Sequence, residues 1–485
     1  MTSSESNQQS PLASQREQAN SQSRAYFPLG YKEAFGQWWA GVSPAETEHK
    51  VLSFVPRLQR PDLDIKDSKC RNREGVKSDT DSIASAASTD DPFGARKWFI
   101  NLVKLSGKDR ALNEFSVERV GEQVDNDLVM LHGYGAGLGF FYKNFEALSR
   151  LVGWKVYALD LLGMGRSSRP SFKIHAKDHE GKIREAENWF IDALEEWRIK
   201  RNIEKFTLLG HSMGGYMAVA YALKYPGRLK KLILVSPVGI PEDPYAVKAE
   251  LPNPDTSTMQ AEALQDQESI ANGEEAPAPR RRIPKWVEYL WDANVSPFSV
   301  VRLVGPLGPS LVSGWTTRRF SHLPPKEAQA LHDYSYSLFR QRGSGEYALA
   351  YILAPGAFAR SPLIHRIQGV GRQVLAPHAA PTVDDVASQA SAARESGIPV
   401  VMMYGDHDWM DVDGGRNAER KILEEKSKAL EGKSADEWKK DQGDAKVVIV
   451  KNAGHHLYLD GYDEFNEIMI DELKDVEKRE RASRS

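Results

Sequence analysis

The sequence predicts an α/β domain: a mostly parallel central sheet flanked by helices, with a helical cap inserted after the sixth strand. Three observations predict it. Short continuous apolar runs recur from Trp98 onward and alternate with helix-like segments, as expected for strands buried on both faces. The runs end in Gly, Ser, Asp or His, the residue types that gather at the carboxyl ends of parallel strands. The succession breaks between Ile240 and Ile398, then resumes.

Taken in order, the run 128–131 ends in His132-Gly133-Tyr134-Gly135, and 156–159 ends in Asp160 and a Gly-rich turn. The run 206–209 leads into Gly210-His211-Ser212, followed by a helix-like stretch at 216–225. The run 232–235 stops at Ser236-Pro237. The long insertion carries helix-like pieces at 284–291 and 325–340 and reads as a cap over the strand ends. The run 400–404 ends in Gly405, and 447–450 leads to Gly454-His455. A last helix places Phe465, Ile468, Met469 and Leu473 on one face.

Composition divides the chain further. Residues 1–25 are Ser/Gln-rich with little to bury and read as a disordered tail, followed by an amphipathic segment at 26–58 and a polar disordered insertion at 59–94. The core then spans 95–240 and 398–476, the cap 241–397 with a disordered stretch at 253–279, and a tail 477–485. The net charge of −3 balances 64 basic against 67 acidic residues, so no global field points to nucleic acid. The one cysteine, Cys70, cannot form an internal disulfide and suits a reducing, intracellular compartment. No apolar run approaches the ~18–20 residues of a membrane-spanning helix, and no apolar signal region is present. None of the twelve histidines falls in metal-ligand spacing, so neither a metal nor another cofactor is expected.

Gly210-His211-Ser212-Met213-Gly214 fits G-x-S-x-G, in which a serine nucleophile sits on a tight strand-to-helix turn. Glycines on both sides remove Cβ atoms that would clash there. A hydroxyl is a poor nucleophile until a base takes its proton. The chain order that goes with this motif is Ser, acid, His, which makes His455 the expected base, with His456 its rival. The acid comes from Gly405-Asp406-His407-Asp408-Trp409-Met410-Asp411, where Asp408 holds the G-x-x-D position and Asp411 is the alternative. Its work is to hold the imidazole tautomer and stabilise the imidazolium. An oxyanion hole needs two backbone N–H groups, expected from Met213 and from Tyr134 in the HGYG turn. That turn lacks the Lys-Ser/Thr of a phosphate-binding loop. His455-x4-Asp460 also matches an acyltransferase pattern, although Asp460 could equally cap the last helix.

At these residues the chain resembles the α/β-hydrolase subfamily of cardiolipin-specific deacylases, lysophosphatidic acid acyltransferases, lipid-droplet regulators and N-acyl-phospholipid lipases. The stretches that carry it are LHGYGAGLGFFYKN, DLLGMGRSSRP, LLGHSMGGY, LILVSPVG, YGDHDWMD and AGHHLYLD, with SPFSVVRLVGPLGP and AYILAPGAFARSPL in the cap. The resemblance implies an α/β-hydrolase fold and a serine hydrolase that removes an acyl chain from cardiolipin or another glycerophospholipid through Ser212. It further implies a peripheral protein on intracellular membranes, at the mitochondrion, a lipid droplet or in the cytoplasm. Two rival readings go with it. One is acylation of lysophosphatidic acid with acyl-CoA as co-substrate; the other is a non-enzymatic lipase co-activator. Access to a membrane surface has two candidates. Tyr31, Phe35, Trp38, Trp39 and Val42 share one helical face, which would otherwise dock on the core. Arg280-Arg281-Arg282 precedes Trp286, Val287, Leu290 and Trp291, and could equally be a plain linker end.

Overall fold

In the computed structural model, which describes residues 28–57, 91–242, 296–354, 357–375 and 393–484, eight strands form one sheet. They are β1 (Arg96–Lys104), β2 (Ala111–Arg119), β3 (Asn126–Leu131), β4 (Trp154–Leu159), β5 (Phe206–His211), β6 (Leu229–Val235), β7 (Pro399–Gly405) and β8 (Asp444–Val450). Their order is β1-β2-β4-β3-β5-β6-β7-β8. From β4 onward every pairing is parallel; β1 pairs antiparallel with β2, and β2 with β4. The polar stretches at 1–25 and 253–279, most of 59–94, Cys70, and the Arg280–Arg281–Arg282 cluster with its aromatic neighbours lie outside the described residues.

The apolar runs become strands because alternate side chains feed two cores. Val129, Leu131, Leu208, Leu232, Leu234, Val400 and Met402 join one buried cluster. Leu128, Met130, Leu209, Ile233, Val235, Val401 and Met403 join the other. Helices cover both faces, so neither set is left in water.

The labelled helices are α1 (Tyr31–Ala40), α2 (Pro44–Leu52), α3 (His179–Lys200), α4 (Met213–Lys224), α5 (Pro297–Leu303), α6 (Gly308–Arg319), α7 (Pro325–Phe339), α8 (Val412–Ala429) and α9 (Tyr462–Arg484). Helices α5, α6 and α7 lie between β6 and β7 and form the cap over the strand ends. In α9, Phe465, Met469 and Leu473 are fully buried. The helix runs on past residue 477, where the sequence suggests a tail, because its polar face is also tied down. Trp154 Nε1 donates to Glu477 at 2.8 Å, and Lys230 pairs with Glu480 at 2.6 Å.

Helix α2 opens on a capping box of Ser43 and Glu46 with Pro44 in its first turn. It carries Glu48 into the protein, where Asn113 Nδ2 donates to it at 3.0 Å and Arg166 pairs with it. Burial outweighs the Arg166 charge and lifts this carboxyl to about 7. Helix α1 keeps only Ala34 buried and turns its aromatic face outward. Tyr31 is 64% exposed, Phe35 40% and Trp39 75%, with Val42 exposed and Trp38 half-buried, so most of this face does not dock on the core.

Candidate active site

Ser212 sits between β5 and α4 at φ 52° and ψ −116°, a conformation that L-residues rarely adopt. Neighbouring glycines account for how the chain can turn so sharply. A Cβ on Gly210 would lie 2.3 Å from the Gly214 carbonyl oxygen, and one on Gly214 would lie 2.7 Å from the Leu131 and His132 carbonyl oxygens. The G-x-S-x-G spacing thus reflects two backbones in contact, with the serine held at the apex. Ser212 N donates to Val235 O at 2.9 Å, which ties the turn to the end of β6.

The HGYG turn faces this apex, since a Cβ on Gly133 would stand 3.0 Å from Ser212 Cβ. His132 holds the turn through both ring nitrogens: Nδ1 lies 2.7 Å from Gly133 O, and Nε2 accepts from Leu161 N at 3.1 Å. Asp160 holds its far side by accepting from Leu138 N at 2.7 Å. The remaining glycines serve packing: a Cβ on Gly137 would strike the Tyr334 hydroxyl at 2.4 Å. The Tyr134 ring stacks on Phe298 of α5 at 4.9 Å, and Phe298 stacks on Phe339 of α7 at 4.4 Å. This ladder joins the turn that is expected to hold the oxyanion to the cap.

His455 follows β8 and is buried. His211, next to the candidate nucleophile, brings its Nε2 to 3.0 Å from the His455 carbonyl oxygen, and the two rings stand 4.8 Å apart. The structure thus brings the neighbourhoods of Ser212 and His455 together across more than half the chain. Of the carboxylates in YGDHDWMD, Asp408 meets the imidazole, with Oδ1 3.3 Å from His455 Nδ1. Asp411 instead caps α8 by accepting from Asp413 N at 3.0 Å. Asp406 accepts from Asn452 N at 2.9 Å and Ala453 N at 3.0 Å, which fixes the loop that presents His455.

His456 has a different environment. Its Nδ1 accepts from Arg319 Nε at 2.9 Å. Burial first, and the Arg319 charge next, hold it well below the usual histidine range, so it stays neutral. An imidazole beside a fixed guanidinium is a poor proton acceptor. The H-x4-D spacing brings Asp460 to this same cation: Arg319 Nη1 and Nη2 reach its oxygens at 3.1 and 3.3 Å. Gly454 N donates to Asp460 at 3.1 Å, and His322 lies 3.2 Å away. Burial alone would raise this carboxyl, but the Arg319 and His322 charges hold it below the usual carboxylate range. Asp460 is therefore taken up as the counter-ion of Arg319 and as a brace for the His455 loop, not as a cap for α9.

Sequence patterns gave no sign of two residues at this centre. One is Arg319, for which only a buried acidic partner remote in the chain could have been a signal. The other is Ser236, whose Oγ lies 2.5 Å from Asp408 Oδ2 and 2.6 Å from His455 Nδ1. Its one visible mark is its place at the end of an apolar run. Among the described residues no group of His, Cys, Asp or Glu has a metal-binding arrangement, and no helix is long and apolar enough to cross a membrane.

Comparison with known proteins fits this geometry. The family described as alpha/beta hydrolase fold matches residues 127–462. A protein of Arabidopsis thaliana named 1-acylglycerol-3-phosphate O-acyltransferase is 36% identical over 376 residues, 76% of this chain and 70% of its own. The Rattus norvegicus protein named 1-acylglycerol-3-phosphate O-acyltransferase ABHD5 is 33% identical, over 70% of this chain and 75% of its own. A human protein named (Lyso)-N-acylphosphatidylethanolamine lipase is 30% identical, over 72% of this chain and 79% of its own.

Proposed function

Because the chain belongs to the alpha/beta hydrolase family, we propose that it is a serine hydrolase that removes a fatty acyl chain from a glycerophospholipid of the cardiolipin type. The observation that carries this reading is the strained Ser212 at the apex of its turn, whose neighbour His211 meets His455, the histidine that Asp408 faces. Ser212 Oγ gives its proton to His455 and bonds to the ester carbonyl carbon. The oxygen that becomes negative is held by the Tyr134 and Met213 amides, the second at the N-terminus of α4 where the helix dipole adds to the field. Collapse breaks the ester C–O bond, and His455 returns the proton to the lysolipid oxygen. Water, deprotonated by the same imidazole, then frees the fatty acid and restores Ser212. Nothing in these steps calls for a metal or cofactor.

The outward aromatic face of α1 supports approach to a lipid surface. Helix α1 lies against the turn Gly305–Leu307 of the cap, where Leu307 is 49% exposed, and Leu303 at the end of α5 is 83% exposed. Tryptophan and tyrosine suit the interface between headgroups and chains. Full-length protein mixed with phospholipid vesicles carrying a labelled acyl chain should release labelled fatty acid and lysophospholipid without acyl-CoA. Label moving only from acyl-CoA to added lysolipid would overturn hydrolysis as the main reaction.

That transfer is the second reading, favoured by the names of the plant and rat relatives. In this geometry it would run through an acyl group on Ser212, because Asp460 pairs with Arg319 and not with the base. Asp460→Asn should therefore act on stability. It breaks a buried ion pair by removing the carboxylate that faces Arg319, at a cost of about 3–5 kcal/mol. Chemical denaturation should register that loss, while the rate per folded molecule stays within about tenfold of the parent, a window set against the 10⁴-fold loss of a true orienting acid. A collapse of the rate with stability intact would restore the H-x4-D mechanism.

A further inference from the structure

Ser236 is fully buried, has no role in the steps above, and stands at φ 45°, in the region that favours glycine. Its backbone is fixed from both sides. Ser236 N donates to Met403 O at 2.7 Å across the ends of β6 and β7. Two residues on, Val238 N reaches Ser212 O at 3.3 Å, and Pro237 packs against Gly215 of α4, where an added Cβ would lie 3.0 Å from the proline. A strained non-glycine residue persists only where its surroundings over-determine it. Here the side chain is what glycine would lack.

The hydroxyl lies between the acid and the base. It has one proton to give, and a carboxylate can only accept, so Ser236 donates to Asp408 Oδ2 at 2.5 Å. Its lone pair is then turned to His455 Nδ1 at 2.6 Å, closer than the 3.3 Å from that nitrogen to Asp408 Oδ1. The imidazole's Nδ1–H thus has its nearest acceptor in a hydroxyl that is itself polarised by the carboxylate.

We propose that Ser236 is a positioning residue of the acyl-transfer centre, a hydroxyl bridge that couples Asp408 to His455 and fixes the proton on Nδ1, so that Nε2 is the nitrogen that takes the proton of Ser212. The proposal rests on Ser212 and His455 as nucleophile and base. The bridge gives the imidazolium a close acceptor when the proton arrives, which the direct contact with Asp408 supplies only at longer range. The titratable groups facing His455 are Asp408, His211 and His456. Burial holds both histidines well below the usual range, so neither changes charge near neutrality.

The test measures the rate at which full-length protein is labelled on Ser212 by a fluorophosphonate, as a function of pH. Ser236→Gly relieves the backbone strain and Ser236→Ala retains it, so loss of the hydroxyl is common to both while the backbone effect is not. Both variants should melt cooperatively and label about 10- to 100-fold more slowly, the loss expected for one hydrogen bond to a charged group. In both, the acid limb of the rate profile should move to lower pH, because the imidazolium has lost its nearest acceptor. Labelling within about twofold of the parent, or a slower rate with the acid limb unmoved, would overturn the bridge, since a purely structural serine leaves that limb in place. A parent protein that does not label at all would instead overturn Ser212 as nucleophile, and the bridge with it.

Discussion

Ser212→Ala should reduce fatty-acid release by on the order of 10⁴- to 10⁶-fold, the loss seen when a serine nucleophile is removed from such a centre. The hydroxyl is the only atom lost, and Ala tolerates φ 52° no worse than Ser, so the melting transition should stay where it is. The site's own logic makes the loss this large. The base, the acid and the amides of Tyr134 and Met213 all serve charge that passes through one oxygen. Without it His455 can still activate water, but the acyl-enzyme never forms. The measurement is single-turnover release of a labelled acyl chain from vesicles, paired with fluorophosphonate labelling. Parent-like release from Ser212→Ala would end the hydrolase reading. Failure of the unaltered chain to label or release would leave a non-catalytic role at a lipid surface as the better account of the α1 face.

Strands β3 to β7 were legible because each is an apolar run buried on both sides, a pattern that owes little to distant partners, and the half-exposed edge strand β8 was legible from its apolar run alone. Strand β2 was not, although it is just as buried. Its apolar residues are interrupted by buried polar ones satisfied from afar: Asn113 by Glu48 and Asp160, and Glu114 by Trp197 and Arg201. Nothing local announces such partners. Strand β1 hides for the opposite reason, since it is an edge strand with its later residues half-exposed or exposed. The site divides in the same way. Ser212 was legible because its turn needs glycines at fixed spacing, and His455 because it follows the last strand in the order Ser, acid, His. Among the aspartates near residue 408, one-residue steps turn side chains in different directions, and spacing alone could not decide. Ser236 and Arg319 meet the centre through residues 137 to 219 positions away, Asp408 and His455 for the first and His456 and Asp460 for the second, and so left no local signature.

Exchanging the two candidate acids for their amides separates them by about four orders of magnitude. Asp408 is fully shielded from solvent at its side chain and faces His455 Nδ1, with Ser236 between its other oxygen and the same ring. Asp408→Asn keeps the volume but places an N–H donor where the centre needs an acceptor. The imidazole then gains by turning its lone pair to Nδ1, and the proton sits on the nitrogen that should accept from Ser212. A wrong tautomer of this kind costs about 10⁴-fold in kcat in a Ser-His-Asp centre, with substrate binding little changed. Asp411 offers the contrast. Its carboxylate only receives Asp413 N at the start of α8, and asparagine caps a helix as well as aspartate does. Asp411→Asn should therefore leave kcat within about twofold and stability within about 0.5 kcal/mol, the spread usual for a neutral substitution. Matched kcat and KM values for the two variants on one vesicle substrate decide the matter. A collapse in Asp411→Asn with Asp408→Asn unharmed would move the acid to the head of α8, and Ser236 would then bridge nothing that the chemistry uses.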